Sequence, residues 1–440
     1  MQSTEKIPLW RQLMAAAHVL QSVRAGASGA AAVEAVPTEL RPAVQSLVFH
    51  AWRNAGRAQA LRKQLAKKAP PPATDALLCL ALALAWQEAG APYDAFTLVN
   101  QCVEAAKRNP ETRAQANFVN ACLRRFLRER DALVKACDGD PLARWNHPLW
   151  WIQRVQQDHP DTWQNLLHAA NRQAPMALRV NRLQTTVATY LEELASAGIP
   201  AHAFSNVGIE LEHAVPVQQL PGFATGRVSV QDAAAQMAAP LLLDGIANLP
   251  GLRVLDACAA PGGKTGHLLE YGVAEVLALD VDAKRCERIG QNLARLGLQA
   301  TTLAADAGQP DLWWDGRLLD AILLDAPCTA SGIVRRHPDV RWLRRESDIA
   351  QLADTQAKLL RTLWPLLAPG GRMLYCTCSL FRAEGDAQVQ TFLAHNTDAV
   401  LLPSPGHLIP SNTVKPSALT DNYAGDHDGF FYALLQKRLA

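Results

Sequence analysis

The C-terminal half of the chain is predicted to be a doubly wound α/β domain, and three observations predict it. From residue 252 onward, apolar runs of strand length alternate with helical patterns roughly every 25 residues. These runs are nearly uninterrupted, as strands are when helices cover both faces of a parallel sheet. A Pro-Gly-Gly turn at 261–263 follows the first run, and later runs end on Asp280, Asp306 and Asp325. In open α/β sheets, ligands bind beyond the carboxyl ends of the strands.

In order, the strands read as LRVLDAC (252–258), AEVLALDVD (274–282), ATTLAAD (300–306), LDAILLDAPC (319–328) and GRMLYCTCS (371–379), with a last one at FFYALLQKR (430–438). Helices fall between the first three and again at about 346–367. Upstream, residues 1–140 are Ala/Leu-rich with helical periodicity, which predicts an all-α domain; Lys67, Lys68 and Pro70–Pro72 make one internal loop there, since consecutive prolines cannot continue a helix. Residues 141–225 read as a linker and small mixed α/β region, with a strand at 177–186 leading into the helix of YLEELASAG. The segment 226–243 is expected to open the final domain, so the boundaries are drawn at 1–140, 141–225 and 226–440.

At 440 residues, with 49% apolar and 19% charged content, the chain has the composition of a soluble globular protein. Its first ten residues lack a secretory profile. The longest apolar run, 76–86, falls short of the roughly 20 residues that span a bilayer and reads as a buried helix. Nine irregularly spaced cysteines point to a reducing cytoplasm, and without a CxxC pair no metal is expected. Net charge is +2, but residues 1–140 carry 18 Lys+Arg against 12 Asp+Glu, so that region is basic and the remainder is net −4. A basic module beside a catalytic one fits a polyanionic partner. On 116–133, Arg124, Arg125, Arg128 and Arg130 surround an apolar face of Phe118, Cys122, Leu123 and Phe126. A solvated helix face and an RNA-facing patch are equally good readings of these arginines.

The first predicted strand runs into DACAAPGGKTGHLLE. Gly262 and Gly263 let backbone approach a ligand at a helix start, where amides and dipole favour an anionic group. Asp280, eighteen residues beyond Gly262, is placed for ribose hydroxyls, and Asp306 could flank an adenine. A dinucleotide fingerprint does not start here. A phosphate loop would need glycine where Cys258 stands, which leaves an ATPase the weaker alternative. S-adenosylmethionine suits best, with Cys258, Ala259, Ala260, Pro261, Gly262, Gly263, Lys264, Asp280, Asp306 and Asp325 as the candidate cradle.

Two thiols end neighbouring strands: Cys328 in Asp-Ala-Pro-Cys and Cys378 in Thr-Cys-Ser. In an intracellular protein such a pair points to nucleophilic chemistry more than to a disulfide. Cys376 lies deeper in its strand and reads as core. Asp325, three residues before Cys328, could hydrogen-bond an attacked base or simply cap a turn. Lys264 could join the same cluster or bind a cofactor carboxylate. GIVRRHPDVRWLRR (332–345) interleaves Arg335, Arg336 and Arg341 with Trp342, a composition suited to phosphates and stacked bases.

CAAPGGKT, LDAPCTASGIVRRHPDVRW and YCTCS together closely resemble the RNA cytosine-5 methyltransferase family. RVN at 179–181 and SVQDAAAQ at 229–236 resemble that family's pre-catalytic region, and VNQCVEAAKR with FVNACLRRF is similar to the NusB RNA-binding fold. The resemblance covers nearly the whole chain. It implies a Rossmann-like S-adenosylmethionine methyltransferase domain behind an all-α NusB-like one. It further implies Cys378 as nucleophile, Cys328 as the thiol assisting release, and Asp325 and Lys264 beside them. The implied substrate is 16S ribosomal RNA, naked or partly assembled, acted on by a cytoplasmic monomer. The same chemistry on tRNA, and a non-catalytic assembly factor, are the alternatives. One departure stands out: where the family has an acidic pair and then Asn after the Cys motif, this chain has Glu384, Gly385 and Asp386.

Overall fold

The computed structural model describes residues 7–410 and 426–439. It divides into two compact units, Met1–Arg172 with Val334–Arg345, and Gln173–Ile333 with Glu346–Ala440.

The first unit is all-helical: α1 (Leu9–Arg24), α2 (Gly29–Glu34), α3 (Arg41–Arg53), α4 (Ala55–Leu65), α5 (Pro72–Ala85), α6 (Ala95–Arg108), α7 (Ala116–Ala136), α8 (Pro141–Trp145), α9 (Leu149–Asp158) and α10 (Trp163–Ala169). The apolar run is α5, and every residue from Ala76 to Ala85 is buried, so this helix is enclosed on all sides. Pro72 opens it at a first-turn position, where no amide hydrogen is missed. On α7 Cys122, Leu123 and Phe126 of the expected apolar face enter the same core, with Phe118 only partly buried against it and Val119, which was not part of that face, fully buried.

The unit extends past the expected limit at 140. Asn146, left-handed at φ 58° beyond α8, accepts from the Gly56 amide at 2.7 Å and donates to the Trp52 carbonyl at 3.1 Å. A Cβ on Gly56 would stand 2.1 Å from the Leu142 carbonyl oxygen, so only glycine lets α4 and α8 meet. Residues 141–172 are thus keyed into the helical core and are no linker.

In the second unit a small antiparallel sheet, ordered β2-β3-β1-β4, comprises β1 (Met176–Val180), β2 (Ala201–Ala203), β3 (Gly208–Leu211) and β4 (Val228–Val230), with α11 (Val187–Ser196) following β1. The strand expected over 177–186 stops at Val180 because Asn181 begins a turn, accepting from the Leu183 amide at 3.1 Å. The segment expected to open the final domain instead gives β4 to this sheet, with Leu178 opposite Val230.

After α12 (Ala238–Leu243) comes the large sheet, built from β5 (Arg253–Asp256), β6 (Glu275–Asp280), β7 (Thr301–Ala304), β8 (Leu319–Asp325), β9 (Leu367–Thr377), β10 (Ala399–Leu408) and β11 (Phe430–Lys437). Their order is β10-β11-β9-β8-β5-β6-β7. β9, β8, β5, β6 and β7 are parallel neighbours, while β11 joins β9 antiparallel and carries β10 at the edge. The helices α13 (Gly263–Glu270), α14 (Ala283–Leu296), α16 (Ser347–Leu363) and α17 (Asp386–His395) pack with it, and the short α15 (Val340–Leu343) belongs to the first unit. Ala321–Leu324 and Met373–Cys376 are fully buried, which explains their unbroken apolar runs. β10 was not expected: Pro403 and Pro405 argue against a strand, and they are tolerated because this one lies at an edge.

Candidate active site

β5 occupies the point where the chain order reverses: β6 and β7 lie to one side of it, β8 and β9 to the other. Crevices form at the carboxyl ends of strands on either side of such a point. Asp256, Asp280, Asp325 and Thr377 end β5, β6, β8 and β9 there.

The glycine loop leaves β5 and enters α13. Thr265 donates to Asp256 at 2.7 Å, tying the start of the helix to the strand end. Gly262 adopts φ 91°, and a Cβ there would reach 3.0 Å from Ile289, so a side chain at this turn would be both strained and crowded. Burial pushes the Asp256 carboxyl up to about 7, with the Thr265 hydrogen bond opposing the shift. Fully buried Arg179, from β1, holds the loop from behind: it pairs with buried Glu270 at 2.7 Å and donates to Gln231 and, at 2.7 Å, to the Gly263 carbonyl. A buried pair like this is stable only when its other donors are used. Sequence reasoning gave Arg179 no role, although it stands in the RVN motif.

This cradle fits S-adenosylmethionine. Asp280 is only 3% exposed and accepts from the Ala260 amide at 3.2 Å, so it shapes the loop at the end of β6. A carboxylate has about four acceptor sites, which leaves capacity for hydroxyls. Just beyond it Val281 is 74% exposed, and Leu303, near the end of β7, is 39% exposed, apolar surface of the kind an adenine would cover. Neither was foreseen, because their exposure is visible only in the fold. Asp306, past β7, accepts from Gln309 and the Gly308 amide, which holds its carboxyl below the usual range.

The parallel pairing of β8 with β9 sets Asp325 opposite Cys376 and carries both thiol loops to one edge. The Cys328 and Cys378 sulfurs are 3.4 Å apart. Cys328 is buried and Cys378 partly exposed. The hydrogen bond to Cys378, burial, and nearby negative charge, that of Glu384 included, all push the Cys328 thiol up. Lys264 reaches from the glycine loop to Asp325 at 2.7 Å. Burial would lower that ammonium, but the neighbouring carboxylate prevails and raises it. Cys376 is fully buried, as expected of core, yet its sulfur also lies 3.5 Å from the other Asp325 oxygen.

The basic loop is a correction. Arg335 is 3% exposed and Arg341 is fully buried, so neither side chain is offered to a polyanion. Both lie in the 334–345 segment of the first unit, where Arg341 donates to the Asn146, Ala170 and Val334 carbonyls and to the Asn171 side chain. Trp342 donates to the Trp52 carbonyl at 3.1 Å, and Asp339 accepts from the Gly29 amide at 2.9 Å. Arg335 and Arg341, which read as phosphate contacts, belong instead to an internal polar core. Arg336 is partly buried. Arg124, Arg125 and Arg128 are exposed on α7, Arg125 paired with Glu129 at 3.0 Å.

No disulfide joins the nine cysteines. Among the described residues there is no group of three His, Cys, Asp or Glu side chains suited to a metal, and no helix is long and apolar enough to cross a membrane.

A glycine turn opening α13, acids at the ends of parallel strands and a switch point at β5 define a Rossmann-like methyltransferase with S-adenosylmethionine as cofactor. Residues 246–436 match the family model described as 16S rRNA methyltransferase RsmB/F, residues 147–218 its ferredoxin-like domain, and residues 13–128 the NusB family. The protein named ribosomal RNA small subunit methyltransferase B in Vibrio cholerae serotype O1 is 37% identical over 433 residues, covering 96% of each chain. Its namesake in Pseudomonas syringae pv. tomato is 40% identical over 441 residues, again 96% of each. A solved methyltransferase homologue from Pyrococcus horikoshii aligns with a TM-score of 0.56 at 28% identity, covering 68% of this chain and 98% of that one. The chain belongs to the RsmB/F methyltransferase family.

Proposed function

We propose that this protein methylates carbon 5 of a cytosine in the 16S RNA of the small ribosomal subunit, through a covalent bond between Cys378 and carbon 6. The relatives' names supply the RNA. The observation that carries the chemistry is the thiol pair, one sulfur accessible and one buried, 3.4 Å apart beside the cofactor loop.

Bound S-adenosylmethionine supplies an electrophilic methyl group. Carbon 5 of cytosine is too weak a nucleophile to take it unaided, and addition of the Cys378 sulfur to carbon 6 makes the ring enamine-like. Asp325, oriented by Lys264, is placed to hold N3 and the exocyclic amine while charge develops. After transfer water takes the carbon 5 proton, the electrons of that bond restore the ring double bond, and the Cys378 sulfur leaves carbon 6 as a thiolate with Cys328 beside it. The base must first be splayed from its stack, at a cost of a few kcal/mol. Exposed Arg124, Arg125 and Arg128 on α7 would contact the RNA backbone.

Bisulfite mapping of total RNA from cells with and without the protein tests this reading. A cytosine in 16S RNA that loses protection only in the deletion is expected. Loss in a tRNA instead, or nowhere, overturns the substrate or the activity.

A further inference from the structure

Behind the two thiols lies Glu384, a fully buried carboxylate that the chemistry above does not use. One oxygen accepts from the Thr329 amide at 2.9 Å and from the Gln356 side chain at 3.2 Å. The other accepts from the Thr329 hydroxyl and, at 2.6 Å, from the Ser379 hydroxyl. Thr329 directly follows Cys328, and Ser379 directly follows Cys378. Gln356 extends the clamp, donating also to the Pro327 carbonyl at 2.9 Å, on the other side of Cys328. The backbone carbonyl of Glu384 in turn accepts from Tyr375 at 2.7 Å and from Thr377, just before Cys378, at 3.3 Å.

A simpler reading would make Glu384 a helix cap, since α17 begins at Asp386. Its side chain does not serve that helix: all four donors come from the two thiol loops and α16. A buried carboxylate is tolerated only when its acceptor sites are filled. Here they are filled by groups from both strand ends, so neither loop can move without stripping hydrogen bonds from a buried charge. Cross-links of this kind hold reacting groups to the tolerance that catalysis needs.

We propose that Glu384 is a positioning residue that sets the spacing of the Cys328 and Cys378 sulfurs by gripping Thr329 and Ser379. The inference rests on the proposed reading of those thiols as the reacting pair. It also bears on the departure at 384–386: the acid directly behind the thiols is retained. The next position has no room for a side chain, because a Cβ on Gly385 would lie 2.5 Å from the His407 ring and 2.9 Å from Phe431.

The test uses the full chain and two readouts. Diamide oxidises two thiols to a disulfide only when they can meet, and peptide mapping identifies the Cys328–Cys378 product. Glu384→Gln preserves size but turns an acceptor into a donor facing other donors. It should slow diamide closure and lower kcat on RNA by about tenfold to a hundredfold, with S-adenosylmethionine affinity and the KM for RNA unchanged. Ser379→Ala removes one arm and keeps the charge, so it should show a smaller loss in the same two readouts, and it decides the matter if the first variant does not fold. Closure and kcat at wild-type values, or cofactor affinity falling in step with kcat, would overturn the proposal. A wild-type protein that transfers no methyl group would instead sink the functional reading, while the diamide comparison would still judge Glu384.

Discussion

Cys328 and Cys378 bring their sulfurs to 3.4 Å although fifty residues separate them in sequence. The parallel pairing of β8 with β9 produces this, since it ends two strands at one level. The two sulfurs are not equivalent: the hydrogen bond to Cys378, burial and neighbouring charge hold the proton on Cys328, which is buried, while Cys378 is partly exposed. That asymmetry supports the proposed roles.

Replacing each thiol should therefore give opposite phenotypes. Cys378→Ala should abolish methyl transfer and form no adduct. Cys328→Ala should transfer the methyl group once and remain bonded to RNA, visible as a shifted band on a denaturing gel. The reverse pattern would mean the roles are exchanged.

Asp280→Ala should weaken S-adenosylmethionine binding by about 1.5–3 kcal/mol, the range for hydrogen bonds to a charged group. Because the carboxylate also receives the Ala260 amide, the loop should loosen as well. Calorimetry that finds the affinity unchanged would remove Asp280 from the cofactor site.

Asp256 gives the fold a pH dependence. Its folded pKa lies near 7, above the ordinary value of 3.8, so the folded chain holds that proton more tightly than the unfolded one. Its contribution to stability is therefore greatest below the ordinary value and declines as pH rises toward 7, to a total cost of a few kcal/mol at most. Asp256→Asn, which cannot ionise, should raise the melting temperature relative to wild type at pH 8, by an amount that shrinks as pH falls through 7 and vanishes only below about 4. A difference independent of pH would contradict the assignment.

Two sets of arginines should respond differently. Arg341→Ala strips a buried hydrogen-bonding centre and should destabilise the first unit by about 1–3 kcal/mol for each buried acceptor left unpaired. The triple replacement of Arg124, Arg125 and Arg128 by Ala should leave melting unchanged but flatten the salt dependence of RNA binding, by up to about 0.7–0.9 in slope per lost phosphate contact. An unaltered salt slope would reduce those three to a solvated helix face.

The catalytic sheet was legible because β5, β6, β8 and β9 are buried on both faces, and such strands announce themselves as apolar runs. The glycine loop was legible because a positive φ at Gly262 and a helix start leave a residue signature. Other features were hidden for definite reasons. β2 and β4 are three residues long, too short for any period, and β10 carries two prolines. Arg341 was misread because charge normally marks solvent, whereas here backbone carbonyls and Asn171 supply its partners from residues 146–334. Glu384 could be seen as an acid after the Cys motif, but its grip on two loops exists only once β8 and β9 pair.

The first unit takes its last piece, Val334–Arg345, from far down the chain, after residues 173–333 have been made. During synthesis at about 5–20 residues per second, the helices through α10 would wait roughly 8–30 s for that piece. Until it arrives, the carbonyls of Trp52, Asn146 and Ala170 lack the donors that Trp342 and Arg341 bring. The nascent N-terminal unit is thus an incomplete fold with an open seam. Arrested chains ending before residue 334 should bind chaperones and yield to protease, and those carrying residue 345 clear of the ribosome should resist.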